Sequence, residues 1–261
     1  MGILFWLAVL PSIILASRVL AYDRIEKEPP KLLLKLFCMG MLTCIPAAII
    51  EAVGSGIIAS VVTSERLLSM LMYLFLVPMA EEGVKYLALR RTHDNPNFNY
   101  TFDGIVYAVM VGLGFATLEN ILYVLEYQTI ETAIMRGILS VPLHCTCGVF
   151  MGYFYGVARG QEARGSEEEA ARARTLALAV PCIIHGLYDY SLDTETLLAS
   201  LLGLAFTVIV FWLAAKQVKI ASINDAPIMV SLAELNAPLP EDGASDWKSK
   251  GTPPPPFNKE G

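Results

Sequence analysis

Seven long apolar stretches divide this chain, separated by polar breaks. They run over about 3–21, 32–62, 67–89, 104–127, 133–158, 175–192 and 197–215. About 20 helical residues cross a bilayer core. The fold class predicted is therefore all-α, a polytopic membrane bundle of about seven transmembrane helices. The second stretch is longer than a span needs. It is predicted to tilt or break, with Pro46, Gly54 and Gly56 as break points. Asp103 is placed to cap the fourth helix.

The polar positions inside these stretches are the informative ones. Glu81, Glu82 and Lys85 share the third span, where each charge costs roughly 2.5–3.5 kcal/mol to insert. On a helix Lys85 lies four residues from Glu81 and three from Glu82, so it can reach either acid. A packing ion pair needs one acid and one lysine, and the second acid would be left unpaired. The fourth span carries Glu119 and Asn120, the fifth His144, and the sixth His185 and Asp189. These last two are i,i+4, so Asp189 can hold the imidazole in one tautomer. At about 1.5 Å per residue, Glu81 and His144 fall near mid-membrane. His185 and Glu119 fall further out, and Asp189 furthest. Pro78, Pro142 and Pro181 each precede a polar site by two to four residues. Each removes a helix hydrogen bond, and kinks there would open a polar cavity. A lone buried histidine is ordinarily an interhelical hydrogen bond. Seven ionisable groups on four successive spans point to chemistry instead.

Composition agrees with a membrane protein. Of 261 residues, 55% are hydrophobic and only 17% charged, against about 25% charged in soluble domains. The net charge of −6 comes with no basic stripe, so nucleic acid is not a predicted partner. Cys38, Cys44, Cys145, Cys147 and Cys182 all lie in apolar segments without the spacing of a soluble zinc site. They read as reduced core residues, though Cys145 and Cys147 adjoin His144. The N-terminus lacks a basic leader and a small-residue cleavage site, so it is predicted to be a retained first span. Basic residues concentrate in alternate loops, which puts the N-terminus outside and the C-terminus in the cytoplasm. The transmembrane domain is predicted over 1–221, with its catalytic core at 67–215. Residues 222–261, with Pro253 to Pro256, form a predicted disordered tail. Its apolar stretch 228–235 is a candidate for docking on the membrane surface. No internal repeat is visible, which counts against an inverted-repeat transporter.

Three acids, two histidines and an aspartate suit water activation. A carboxylate can take a proton from water and pass it to a leaving amine. A histidine can orient that water, and Asn120 or the other histidine can steady a tetrahedral oxyanion. Alternatively, His144, His185 and Glu119 or Asp189 could bind zinc and acidify the water. No H-E-x-x-H is present, which excludes a zincin-type site.

Together these residues resemble the PrsW family of intramembrane proteases, relatives of the CAAX-prenyl protease and bacteriocin-immunity membrane proteins. The matching elements are Glu81-Glu82-Gly83-Val84-Lys85, then Phe115 to Glu119, then His144, then His185 to Asp189. They come in order on successive spans, within about 67–215. The resemblance implies cleavage of a single-span, membrane-anchored protein such as an anti-sigma factor, in a bacterial or archaeal plasma membrane. It implies Glu81 or Glu82 as the base, His144 and His185 as water or oxyanion partners, and Lys85 as the group that tunes the acid pair. Glu119 and Asp189 complete the catalytic set, with Asn120 and Phe115 in support. Relatives are described both as metalloproteases and as glutamate-type enzymes. No cofactor is favoured here; a catalytic zinc on His144, His185 and Glu119 is the other option. A proton-coupled carrier using the same acids and histidines is the competing function.

Overall fold

The computed structural model describes residues 2–193 and 196–228. These form helices α1 (Gly2–Leu20), α2 (Pro30–Val61), α3 (Glu65–Leu71), α4 (Val77–Arg90) and α5 (Asp103–Tyr127). They continue with α6 (Ile130–Ile138), α7 (Ser140–Ala163), α8 (Glu167–Asp193) and α9 (Leu197–Ile223). A π-helical turn, Met72–Leu76, joins α3 to α4 without a break. Seven described spans are long and apolar enough to cross a membrane, with α3 to α4 as one and α6 to α7 as another. This is a multi-pass membrane protein.

Helix α5 is the axis of the bundle, buried without interruption from Phe102 to Thr117. Small residues let its neighbours approach. A Cβ on Gly114 would overlap the Phe37 carbonyl of α2, and one on Gly104 or Gly152 would drive α5 and α7 apart. Helices α1 and α9 lie at the periphery and present rows of exposed apolar side chains, such as Ile13 and Trp212, as a lipid-facing surface requires.

Several boundaries differ from those predicted. Helix α2 runs unbroken through Pro46, Gly54 and Gly56. The irregularity falls instead just before Pro78. Proline has no N–H to offer the Leu74 carbonyl, so the helix widens there, with the Val77 amide reaching back to Met72 O. The fifth span begins as a separate short helix, α6, capped by Thr129. Pro142 sits in the first turn of α7, where proline is tolerated. The acidic triplet Glu167 to Glu169 is the first turn of α8, a favourable place for carboxylates. Asp103 accepts from the amides of Asn99 (3.0 Å) and Tyr100 (2.7 Å), upstream of its helix, and so fixes the preceding loop.

The tail boundary expected at 222 also moves. Helix α9 continues to Ile223, and Asn224 to Ile228 pack against the 97–103 loop. Asp225 accepts from the Phe102 amide at 2.8 Å, and Tyr100 forms a bridge with Pro227. Residues 229–261, including most of the 228–235 stretch, lie outside the described residues.

Candidate active site

Helix α4 brings Glu81, Glu82 and Lys85 to the face that meets α7 and α8. All three are buried, Glu82 completely. Lys85 Nζ donates to Glu81 Oε2 at 3.0 Å and to Glu82 Oε1 at 2.8 Å. It also donates to His144 Nδ1, on α7, at 2.9 Å. The Phe115 ring of α5 covers the ammonium at 3.9 Å, a cation–π contact. An ammonium only donates, so His144 Nδ1 is unprotonated. Its Nε2–H then points to Glu119 Oε2 at 3.0 Å.

His185, on α8, stands opposite, its ring centroid 5.3 Å from that of His144. A carboxylate faces each of its nitrogens: Glu82 Oε1 lies 2.9 Å from Nδ1 and Asp189 Oδ2 lies 3.3 Å from Nε2. Each histidine therefore has its own carboxylate behind it, the arrangement that orients catalytic or metal-bound imidazoles. Gly186 sets the depth of His185. It packs on the Leu74 carbonyl and the Pro78 ring, so the widened turn and α8 fit together.

A cavity of about 680 Å³ reaches this cluster. Glu81, Glu119, His144, His185 and Asp189 line it, and its rim holds Glu126, Met135 and Asp193, near helix ends on the N-terminal face of the bundle. Glu82 does not line it and stands behind Glu81.

The structure thus gathers Glu81, Glu82, Lys85, Phe115, Glu119, His144, His185 and Asp189. It does not bring Asn120 to the cavity. Asn120 Oδ1 accepts from Arg136 Nε at 2.8 Å, and its Nδ2 is buried without a partner among the described residues. Arg136 is the residue that sequence reasoning missed. On α6 it pairs with Glu119 at 2.6 Å, donates to Ser140 Oγ at 3.0 Å and lies 3.7 Å from the Tyr123 ring. In the sequence it stood as a lone basic residue near a span end. Only the recognition of α6 as a separate amphipathic helix would have turned it inward.

Among the described residues, Glu81, Glu82, His144 and His185 can hold a metal ion, offering ligand atoms all within 4.8 Å of one another. Glu119 is not in this group, unlike the predicted set, because it stands behind His144. The donors are nitrogen and oxygen, as zinc accepts. Glu82 Oε2 is buried and has no hydrogen-bond partner among the described residues, so one ligand atom is unspent there. The residues fit a metal.

Comparison with known proteins agrees with this geometry. The profile of the PrsW family intramembrane metalloproteases matches residues 28–215. The chain belongs to the PrsW family. It is 34% identical over 214 residues to Protease PrsW of Geobacillus kaustophilus, covering 81% of this chain and 88% of that protein. It is 33% identical over 227 residues to Protease PrsW of Bacillus subtilis, covering 83% and 94%. The Clostridioides difficile Protease PrsW is 28% identical over 214 residues, covering 80% and 87%. No solved structure matches. As a PrsW protein, the chain is an intramembrane protease, and the carrier reading of the same residues is not favoured.

Proposed function

We propose that this chain is an endopeptidase that cuts a single-span membrane protein, at a peptide bond drawn into the cavity, using water activated by Glu81. The observation that carries this is the burial of Glu81 and two histidines against a cavity within the spans that Glu119 and Asp189 also line. Glu81 lines the cavity, so it meets water and substrate. Glu82 holds Lys85 and His185 from behind.

Glu81 takes the proton of a water as it attacks the scissile carbonyl, then passes it to the leaving amine. His144 and His185 flank this carboxylate; to orient the water or steady the oxyanion, a ring nitrogen must first exchange its present partner, Lys85 or Glu119 for His144 and Glu82 or Asp189 for His185, for the water or the oxyanion. Glu81, Glu82, His144 and His185 would hold a divalent metal, whose chemistry there would be to acidify a water. The alternation of basic loops puts the N-terminus and the cavity mouth outside a bacterial or archaeal plasma membrane. Cleavage then falls in the outer part of the substrate's span or just beyond it. The family resemblance makes an anti-sigma factor a fitting substrate.

The test is cleavage of a tagged single-span substrate in lipid vesicles by the purified protein, beside Glu81→Gln, with and without a chelator. Loss in the variant with no chelator effect supports the carboxylate-activated water. Loss in both supports metal assistance at the same site. Equal cleavage by wild type and variant would overturn the role of Glu81.

A further inference from the structure

Lys85 stands where the four possible metal ligands converge. Its ammonium meets Glu81 Oε2 at 3.0 Å, Glu82 Oε1 at 2.8 Å and His144 Nδ1 at 2.9 Å. His185 reaches the same point through Glu82 Oε1, 2.9 Å from its Nδ1. One cation thus already uses an atom from each of three ligand residues and shares an atom with the fourth.

These bonds cannot all coexist with a metal. His144 Nδ1 has a single lone pair, which serves either an N–H donor or a metal. Its other nitrogen is committed to Glu119. Charge argues the same way. Glu81, Glu82 and Lys85 sum to −1. A divalent ion in place of the ammonium brings the two carboxylates to zero, whereas both cations together would set an ammonium beside a metal at the same carboxylate oxygens, where like charges repel. Glu82 Oε2, buried and unpartnered among the described residues, shows that the ammonium does not exhaust the donor set.

We propose that Lys85 is a built-in competitor for the metal position. Its ammonium and a divalent metal hold the Glu81, Glu82 and His144 donors in mutually exclusive fashion. Loading requires the lysine to withdraw, and Lys85 keeps the affinity of the site low. The inference deepens the protease reading and rests on it only for the assignment of the four donors.

The test needs no proteolysis. Full-length wild type, Lys85→Met and Lys85→Gln are stripped with a chelator in detergent and titrated with Co²⁺, followed by visible absorption, then with Zn²⁺ in competition. The neutral variants are expected to bind one equivalent at least ten times more tightly than wild type. Lys85→Arg, which keeps the charge, is expected to bind no more tightly than wild type. The gain is expected to vanish when His144→Gln is added to Lys85→Met. Equal or weaker binding by the neutral variants overturns the proposal, as does an equal gain in Lys85→Arg. Should neither neutral variant fold when purified alone, Zn²⁺ present during purification is expected to restore it, and failure to restore it counts against the proposal. Tighter cobalt binding in a protein that cuts nothing would leave this inference standing while the protease reading fell. Active wild type with no gain in the variants would do the reverse.

Discussion

At the scale of single residues, Glu81 and Glu82 are neighbours in sequence with different work. Glu81 faces the cavity, whereas Glu82 is fully enclosed and bonded to Lys85 and His185. Glu81→Gln is expected to cost about 10²–10⁴-fold in cleavage, the usual range for a general base, with a smaller loss of thermal stability than Glu82→Gln. Glu82→Gln is expected to lose both, because breaking a buried pair costs roughly 3–5 kcal/mol. Parallel melting curves and cleavage rates check this, and equal melting temperatures for the two variants would contradict it. Arg136 offers a second contrast. Without it, Glu119 keeps its charge at the cavity wall with only His144 as partner. Arg136→Ala is expected to slow cleavage at least tenfold and to destabilise by about 3 kcal/mol, the low end for a broken pair because both groups keep some solvent contact. Arg136→Lys, which restores charge but not the fork to Asn120 and Ser140, is expected to recover part of each. Unchanged activity in Arg136→Ala would remove Arg136 from the site.

The contrast between these residues marks what the sequence can reveal. Glu81, Glu82, Lys85, His144, His185 and Asp189 were legible because a charge inside an apolar stretch needs a reason. Arg136 was not, because near a span end arginine is the expected topogenic residue. Which of two adjacent glutamates faces the cavity depends on how α4 is rotated against α7 and α8, and no local pattern records that. The placement of Glu119 behind His144 depends on the same packing.

At the scale of elements, Pro78, Pro142 and Pro181 were read as kinks, and α8 runs as one helix through Pro181. Pro142 starts a helix. Pro78 widens the preceding turn, and α8 exploits the widened turn, with Gly186 lying on the Leu74 carbonyl and the Pro78 ring. The contact fixes the height of His185 against Glu82. Gly186→Ala would press its methyl into both groups and push α8 outward. Overpacking of this kind costs roughly 1–3 kcal/mol, while a catalytic group displaced by about 1 Å costs on the order of 10²-fold in rate. The expected variant is therefore folded and nearly inactive. Pro78→Ala, which returns a donor to Leu74 O, is expected to regularise the turn and lower activity in Gly186-containing protein as well. Cleavage rates beside melting temperatures test both. A Gly186→Ala protein with wild-type activity would show that α8 carries no precision at this point.

At the scale of the whole molecule, the seven spans were legible because lipid demands long apolar helices. The face opposite the cavity mouth was not, because it is built from loop carboxylates that composition alone assigns to solvent. There Glu28, Asp23 and Asp225 are buried, and Glu28 Oε2 accepts from the Tyr107 hydroxyl at 2.8 Å. Burial pushes Glu28 from its usual 4.5 up to about 7, against the hydrogen bonds from Tyr107 and Asp103 and with the nearby charges of Asp23 and Glu26. Burial raises Asp23 and Asp225 as well, although Lys27 opposes it at Asp23 and the Phe102 amide and Thr101 hydroxyl oppose it at Asp225. A carboxyl whose folded pKa lies above its unfolded value favours the folded state while it stays protonated. For Glu28 that advantage is whole at and below about 4.5, declines as pH rises, and is gone above about 7. Docking of residues 224–228 on the 97–103 loop should therefore loosen between about pH 4.5 and pH 7. Hydrogen exchange, corrected for intrinsic rate, is expected to speed up over that interval at the Thr101, Phe102 and Ile228 amides, which hold the dock. Amides in the middle of α5 are expected to stay protected. Glu28→Gln keeps an acceptor for Tyr107 without a charge to bury, and it should flatten most of the pH response. Constant protection from about pH 4.5 to pH 7 in wild type would show that these carboxyls are relieved of their burial by water, and that this face of the molecule does not sense pH.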